Sequence, residues 1–414
     1  MINRQIPERL AGKEPRILYA FFVLLALLPF LFSCAHSAAA RSGEEIPAPP
    51  PEEAVSPAEA PPPEPELDYL TIVAAGDNLY QEPILKEFFQ GDKYDFGALY
   101  SHIKSYIEPA DIAFVNQETV LDPKGPAYSG YPLFNTPAEA GFALAAAGFD
   151  VVNHATNHIM DQGEAGIISS INFWDSFPGV SYLGIYRSEE DRKKLVCLIE
   201  KNNIRVGFLA YTTGTNLIPL PEKKSYLVSL VNRELMAAEI DALRPLCDYL
   251  VVSMHWGEEY QMKPSAAQED LARFLAEHSV DLVIGHHPHV LQPLARLPRP
   301  DGGETLCFYS LGNFIASHAQ PENPTLLGGL LFVRIKKTHA GTAVCETRLI
   351  PLISHYDADR KGHAVYPLGE YTEGLLQKHG KKGNITMNLE FFTGLARDMF
   401  GPALMTGNPF ARIE

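Results

Sequence analysis

"DLVIGHHPHVLQP", residues 281–293, runs from an apolar stretch rich in β-formers straight into Gly285, three histidines and Pro288. A buried strand that ends in His286, His287 and His289 beside a backbone-fixing proline is either a polar loop or one edge of a metal site. One cluster cannot decide, because loops tolerate histidine. Metal sites in α/β proteins are assembled from the carboxyl ends of several strands, so the reading turns on where the other apolar runs stop.

They stop at ligand-type residues. "YLTIVAAGD" (69–77) ends at Gly76 and Asp77, and "ADIAFVNQE" (110–118) at Asn116 and Glu118. "FDVVNHATNH" (149–158) brings Asn153, His154, Asn157 and His158, with Asp161 and Gly163 just beyond, and "DYLVVSMHWGEEY" (248–260) brings His255 and Glu259. Helix-patterned segments such as "SAAQEDLARFLAEHS" (265–279) separate some of these runs. Strands alternating with helices predict a largely parallel sheet covered by helices, with the strand ends sharing one crevice. Two carboxylates, an asparagine oxygen and three imidazoles suit one or two divalent ions and need no thiolate; Mn, Fe, Zn and Mg all remain open. Such a pair clamps and activates a water and stabilises charge on a phosphoryl or similar centre.

Each residue also has a plainer reading. Asp77 can cap a helix, Glu118 can be a solvated loop carboxylate, and His154, Asn157 and His158 can be turn residues. His255 can pack with Trp256, and "SLGNF" (310–314) can be a tight turn that needs Gly312.

The chain has 414 residues, 46% of them hydrophobic, enough for a sizeable core, and a net charge of −16 that disfavours nucleic acid as a partner. Basic residues Arg4, Arg9, Lys13 and Arg16 precede "ILYAFFVLLALLPFLF" (17–32), which is shorter than the ~20 residues of a spanning helix and holds Pro29. Residues 1–34 read as an export signal ending in "LFSC", which resembles a bacterial lipobox with Cys34 as the lipidated residue. An uncleaved helical anchor is the alternative. Residues 35–66, rich in Pro, Ala and Glu, read as an extended spacer. The main domain is placed at 67–355 and a partly helical C-terminal extension, carrying no evident chemistry, at 356–414. Of the other cysteines, Cys197, Cys247, Cys307 and Cys345, free buried thiols are favoured over disulfides.

The ordered elements Asp77, Asn116 with Glu118, Asn157-His158 with Asp161 and Gly163, "HWGEEY" from His255, "GHHPH" from Gly285 and "SLGNF" from Ser310 resemble the capsule-synthesis CapA family, the poly-γ-glutamate capsule proteins of the calcineurin-like metallophosphatase superfamily. The resemblance spans about residues 70–318. It implies a four-layer α/β/β/α sandwich with two central mixed sheets. It further implies metal ligation by Asp77, Glu118 as the bridging carboxylate, Asn157, His255, His287 and His289. His158, His255 and Glu259 are the candidates for catalysis, and Asn116, Asp161, His286 and Asn313 those for contact with substrate. The sequence departs from the superfamily pattern twice. Asp77 is followed by Asn78 and Leu79 where Asp-x-His is usual, and Glu118 replaces an aspartate.

Two functional classes follow. One is a lipid-anchored, extracytoplasmic component of poly-γ-glutamate capsule synthesis or export, partnered by capsule membrane proteins, whose pocket meets the acidic polymer or a phosphorylated envelope precursor. The other is a metal-dependent hydrolase of a phosphoester or amide-type envelope substrate.

Overall fold

The computed structural model describes residues 67–122, 127–194, 197–318, 323–339, 341–380, 388–401 and 407–410; the expected signal, Cys34 and the spacer lie outside them. From Leu67 onward the chain is one compact unit. It lays down β1 (Asp68–Asn78), β2 (Ile112–Gln117), β3 (Val151–Asn153) and β4 (Ser181–Leu183) side by side in parallel. A second sheet follows, built from β5 (Cys197–Lys201), β6 (Ile204–Thr212), β7 (Tyr249–His255), β8 (Leu282–His286), β9 (Leu291–Pro298) and β10 (Glu304–Leu311). Its spatial order is β5-β6-β7-β8-β10-β9, parallel except for the antiparallel edge strands β5 and β9. The chain then returns to the first sheet. There β11 (Asn313–Ile315) pairs with the end of β1, and β12 (Leu327–Thr338), β13 (Gly341–His355) and β14 (Ala364–Pro367) add antiparallel strands beyond it.

The two mixed sheets form the middle layers of an α/β/β/α sandwich, as expected. The period-2 geometry of a strand explains the continuous apolar runs, since both faces are covered. On β1, Leu70, Ile72 and Ala74 join Phe114, Val206, Phe208, Val251, Ile284 and Phe308 in the core between the sheets. Val73 and Ala75, on the opposite face, pack with Tyr100, Leu144 and Trp174 from the outer helical layer. Across the second sheet, Leu250, Val252 and Val283 meet Met236, Ile240, Leu271 and Leu275. These last two belong to the helix Ala266–Glu277, which Ser265 and Gln268 start with a reciprocal capping box.

The region after 355 continues the same unit. β14 extends the first sheet, and the helix Leu389–Phe400 places Phe392, Ala396 and Phe400 in the core between the sheets. Among the described residues four cysteines are free: Cys247 and Cys307 are buried as expected, but Cys197 is only half-buried and Cys345 is exposed. Cys345 lies on β13, whose residues Gly341–Glu346 alternate in exposure, so the expectation of burial fails there for lack of a covering layer.

Two glycines set the strand ends close together. A Cβ at Gly76 would lie 2.0 Å from the Gly312 carbonyl oxygen, and one at Gly285 would lie 1.9 Å from that of Tyr309. Neither space admits a side chain. The residues that follow them, Asp77 and His286, therefore emerge into a crevice already narrowed by backbone.

Candidate metal centre

Asp77 is the next-to-last residue of β1, Asn116 the next-to-last of β2 with Glu118 just beyond its end, His255 ends β7, and His286 ends β8. The parallel strands of both sheets thus deliver their carboxyl ends to one place. Glu118 lies in two groups whose ligand atoms are all within 4.8 Å of one another: Glu118 with His287 and His289, and Glu118 with Asp77 and His255. That is the arrangement expected of a carboxylate shared by two cations. Asn157 joins them. Its amide nitrogen donates to Asn216 Oδ1 at 3.0 Å, which turns its carbonyl oxygen inward, 2.8 Å from His255 Nε2. Two ligands at right angles on one cation, each at about 2.1 Å, sit about 3 Å apart, so this pair fits a common ion.

The histidine turn is strained. His287 (φ 96°) and His289 (φ 59°) both adopt left-handed backbone on either side of Pro288. Each such conformation costs roughly 1–3 kcal/mol and persists where surrounding contacts over-determine it. Here the His287 N–H points at the Asp77 carboxylate (3.2 and 3.3 Å), while the ring of His287 faces that of His255 with centroids 4.8 Å apart. His289 Nδ1 is 3.0 Å from Asp77 Oδ2, and its Nε2 is 3.7 Å from Glu118 Oε1.

The electrostatics suit a cation. Burial pushes the Glu118 carboxyl well above its ordinary value, with Asp77, Glu259 and Asp161 adding to the effect against His289. Both its oxygens are buried without a hydrogen-bond partner among the described residues, as is Nδ1 of His287. A buried carboxylate is costly unless paired, and an ion would supply the pairing. Burial and the neighbouring imidazoles hold His255 well below the usual histidine value, and burial lowers His287 to about 4. Both rings are therefore neutral, the form that binds metal. His289 differs: burial opposes its charge, but Glu118 and Asp77 raise it to about 9. Burial at Asp77 is likewise outweighed by His289, which lowers that carboxyl.

The remaining candidates divide by exposure. Asn116, fully buried, donates to Asp77 Oδ1 at 2.8 Å and accepts from Asn153 at 2.7 Å, so it orients a ligand from behind. Asp161 accepts the Phe134 N–H at 2.8 Å and holds His158 Nδ1 at 2.8 Å, and the Asn216 amide nitrogen lies 3.2 Å from that same nitrogen and 3.5 Å from Nε2. His286 is fully buried, stacked on Phe114 with centroids 5.8 Å apart and 3.7 Å from Asp77, so it backs the site and cannot touch a substrate. Asn313 is also wholly buried, donating to the carbonyls of Thr325 (2.8 Å) and His289 (3.2 Å); it ties the turn together where substrate contact had been expected. Glu259 is exposed at the rim. His154 accepts from Trp174 Nε1 at 2.7 Å and belongs to the packing. Leu79, where the resemblance places a further imidazole, is buried with Phe134 and Ala316.

The family model described as bacterial capsule synthesis protein PGA_cap matches residues 71–318, a span that holds every donor named above. The chain belongs to this family. The capsule biosynthesis protein CapA of Bacillus anthracis is 30% identical over 258 residues, 60% of this chain and 60% of that protein. The PGA biosynthesis protein CapA of Bacillus subtilis (strain 168) is 31% identical over 180 residues, 44% and 46% of the two chains. The match thus spans only about half to three-fifths of the relatives' own length. Among solved structures, the calcineurin-like phosphoesterase YfkN from Bacillus subtilis is 14% identical with a TM-score of 0.41, over 81% of this chain and 97% of that one. A novel phosphatase from Mycoplasma pneumoniae is 15% identical with a TM-score of 0.41, over 70% and 95%.

Within the span shared with the PGA_cap family, strand-end reading reached Asn153 without giving it a role and Tyr260 only as the end of "HWGEEY", and it missed Asn216 and His318. Asn153 is visible as the first asparagine of "VVNHATN", but its role as a prop for Asn116 depends on strand pairing. Asn216 sits in a left-handed turn (φ 50°) remote from any motif, and the rings of Tyr260 and His318 flank His289 at 6.1 and 5.2 Å. No spacing in the sequence signals these.

Proposed function

We propose that this member of the capsule synthesis family acts outside the cytoplasm, tethered to a membrane, with a divalent-metal centre on the crevice that handles an anionic polymer or a phosphorylated precursor of it. Glu118 carries the reading: it is a fully buried carboxylate, bare of hydrogen bonds among the described residues and shared by two ligand groups. Asp77, Asn157, His255, His287 and His289 would complete the holding set. When bound, divalent ions at such a centre act as Lewis acids toward phosphoryl or carboxylate oxygens and lower the pKa of water. Asn116 and Asn153 keep Asp77 in place, Asn216 keeps the Asn157 carbonyl facing inward, and Asp161 fixes the ring of His158 at the rim. His158, 5% exposed, is placed to exchange a proton with a bound ligand. The family's role in capsule synthesis and the names of the two Bacillus relatives favour a carboxylate-rich polymer over an unrelated phosphoester.

The test is elemental analysis of the purified protein beside Glu118→Gln, which keeps shape and removes charge. Loss of at least one metal equivalent is expected, with Glu118→Asp milder. An equal metal count in parent and Glu118→Gln would make Glu118 a structural carboxyl and remove the shared-ligand centre. Tethering has its own test: Cys34→Ser should release the protein from membranes or leave an unprocessed precursor, and unchanged retention with the same cleaved N-terminus would rule out lipidation.

A further inference from the structure

Ser317, His363 and Glu87 form a hydrogen-bonded chain that the metal centre does not use. His363 Nδ1 makes a short contact with Glu87 Oε2, and His363 Nε2 is 2.9 Å from Ser317 Oγ. The direction of the hydrogens follows from what each group can do. Glu87, as a carboxylate, only accepts, and it also takes the backbone N–H of Gly362 at 2.6 Å and of His363 at 3.2 Å. Nδ1 therefore carries the ring hydrogen and Nε2 is the acceptor. Arg360 Nη1, 3.1 Å from Ser317 Oγ, only donates, so the serine's own hydrogen is directed at Nε2. Gln81 Oε1 accepts the Ser317 N–H at 2.6 Å and fixes the backbone there.

A clasp that merely fastened the 357–363 turn to the helix Glu82–Phe88 would have no reason to face open space. This one does. Ser317, Glu87 and Arg360 line a cavity of about 590 Å³ together with Gln81, Tyr131 and Lys361. His363 is buried, and burial lowers it below the ordinary imidazole value although Glu87 opposes, which keeps the ring neutral and able to accept a proton.

We propose that Ser317 is a nucleophile, with His363 as its general base and Glu87 orienting the imidazole, in a second site that transfers acyl groups from carboxylic esters or amides. Ser317 Oγ bonds to the acyl carbon as its proton passes to His363 Nε2. The C–O or C–N bond to the leaving group then breaks, and His363 returns the proton to the departing alcohol or amine. Water or an amine attacks the resulting ester and gives its proton to His363, which passes it to Ser317 Oγ as the bond between that oxygen and the acyl carbon breaks. The Arg360 guanidinium, whose Nη1 donates to Ser317 Oγ at 3.1 Å and to the His318 carbonyl at 3.0 Å, is the cation beside the reacting oxygen and would stabilise the oxyanion. The cavity rim carries cations and carboxylates alike, so it does not select substrates by net charge.

This site is independent of the metal reading, and the test keeps the two apart. The full-length protein is treated with a fluorophosphonate probe, with and without prior chelator dialysis, and the adduct is located by peptide mass. An adduct at Ser317 in both arms is expected, absent from Ser317→Ala and unchanged in the exposed control Ser101→Ala. His363→Ala should slow labelling by about 10²–10⁴-fold, and Glu87→Gln by at least about tenfold. Should His363→Ala not fold, Ser317→Cys replaces it: the introduced thiol should be alkylated by iodoacetamide faster than the exposed Cys345 of the same chain. No Ser317 adduct in the folded parent, labelling unaffected by loss of His363, or alkylation slower than at Cys345 would each reduce the chain of bonds to a structural clasp.

Discussion

At the scale of single residues, the centre is built from groups that are poorly served without a cation. Glu118 has no partner for either oxygen among the described residues, and His287 is held in backbone that a histidine seldom adopts. The two costs have one compensation if both groups ligate the same ion. Hence His255→Ala and His287→Ala should each lower metal affinity by orders of magnitude while the protein stays folded, since a core of this extent does not rest on one imidazole. The check is metal content after dialysis against a weak chelator, beside circular dichroism of the same samples. An unfolded variant that still carries the parent's metal would show these rings to be packing residues. His286 gives the contrast. It lies three chain positions from His289, yet it faces Phe114 between the sheets, and burial holds it at about 4. Of the three adjacent histidines, strand alternation sends the first inward, and only the left-handed turns around Pro288 bring the other two to Glu118.

At the scale of elements, the five strand ends were legible because each is an apolar run that both sheet faces cover, and each run stops abruptly at a polar residue. β4 and β11 were not legible: "SYL" and "NFI" hold too few side chains to display a period, and unlike the equally short β3 neither was set apart as an apolar run ending at a group of ligand-type residues. What pins the sheets together at one end was hidden as well, because it is a matter of register. Asp248, just before β7, accepts from the Arg205 backbone at 2.8 Å on β6 and from Lys337 at 3.0 Å on β12, while its carbonyl takes Thr342 of β13 at 2.6 Å. One carboxylate therefore straps the second sheet to the first. Burial alone would raise Asp248, but the hydrogen bonds from Arg205 and then Lys337 bring it down from 3.8 to about 2. With the folded value below the unfolded one, the strap's contribution is complete above about pH 4 and is lost as the pH falls toward 2. Asp248→Asn should thus lower the urea midpoint at pH 7, and the gap from the parent should close as the pH drops through that window. A gap that stays constant from pH 7 to pH 2.5 would show that the charge on Asp248 does not matter.

At the scale of the whole molecule, the two-sheet architecture and the gathering of Asp77, His255, His287 and His289 around Glu118 could be expected from ordered motifs, whereas the contribution of the chain's last stretch could not. An amphipathic pattern shows that a helix has an apolar face but not which surface receives it. The helix Leu389–Phe400 inserts Phe392, Ala396 and Phe400 into the core between the sheets, where the ring of Phe400 stacks near Phe308 with centroids 6.1 Å apart. Ser317, His363 and Glu87 escaped reading for a related reason: they are brought together only when the 357–363 turn folds back against the first helix, far away in sequence. The C-terminal stretch is thus a working part of the sandwich, and removing its central side chain should be felt globally. Phe392 is fully buried, so Phe392→Ala removes a large apolar ring and leaves a cavity between two sheets that are held by their own hydrogen bonds and cannot close over it. A loss of about 3–5 kcal/mol in unfolding free energy is expected, read as a lower denaturant midpoint with an unchanged slope. Because the helix contributes none of the donors grouped around Glu118, metal content per folded molecule should match the parent's. A loss below about 1 kcal/mol would mean that the helix only rests on the sandwich, and the core between the sheets would then be complete without it.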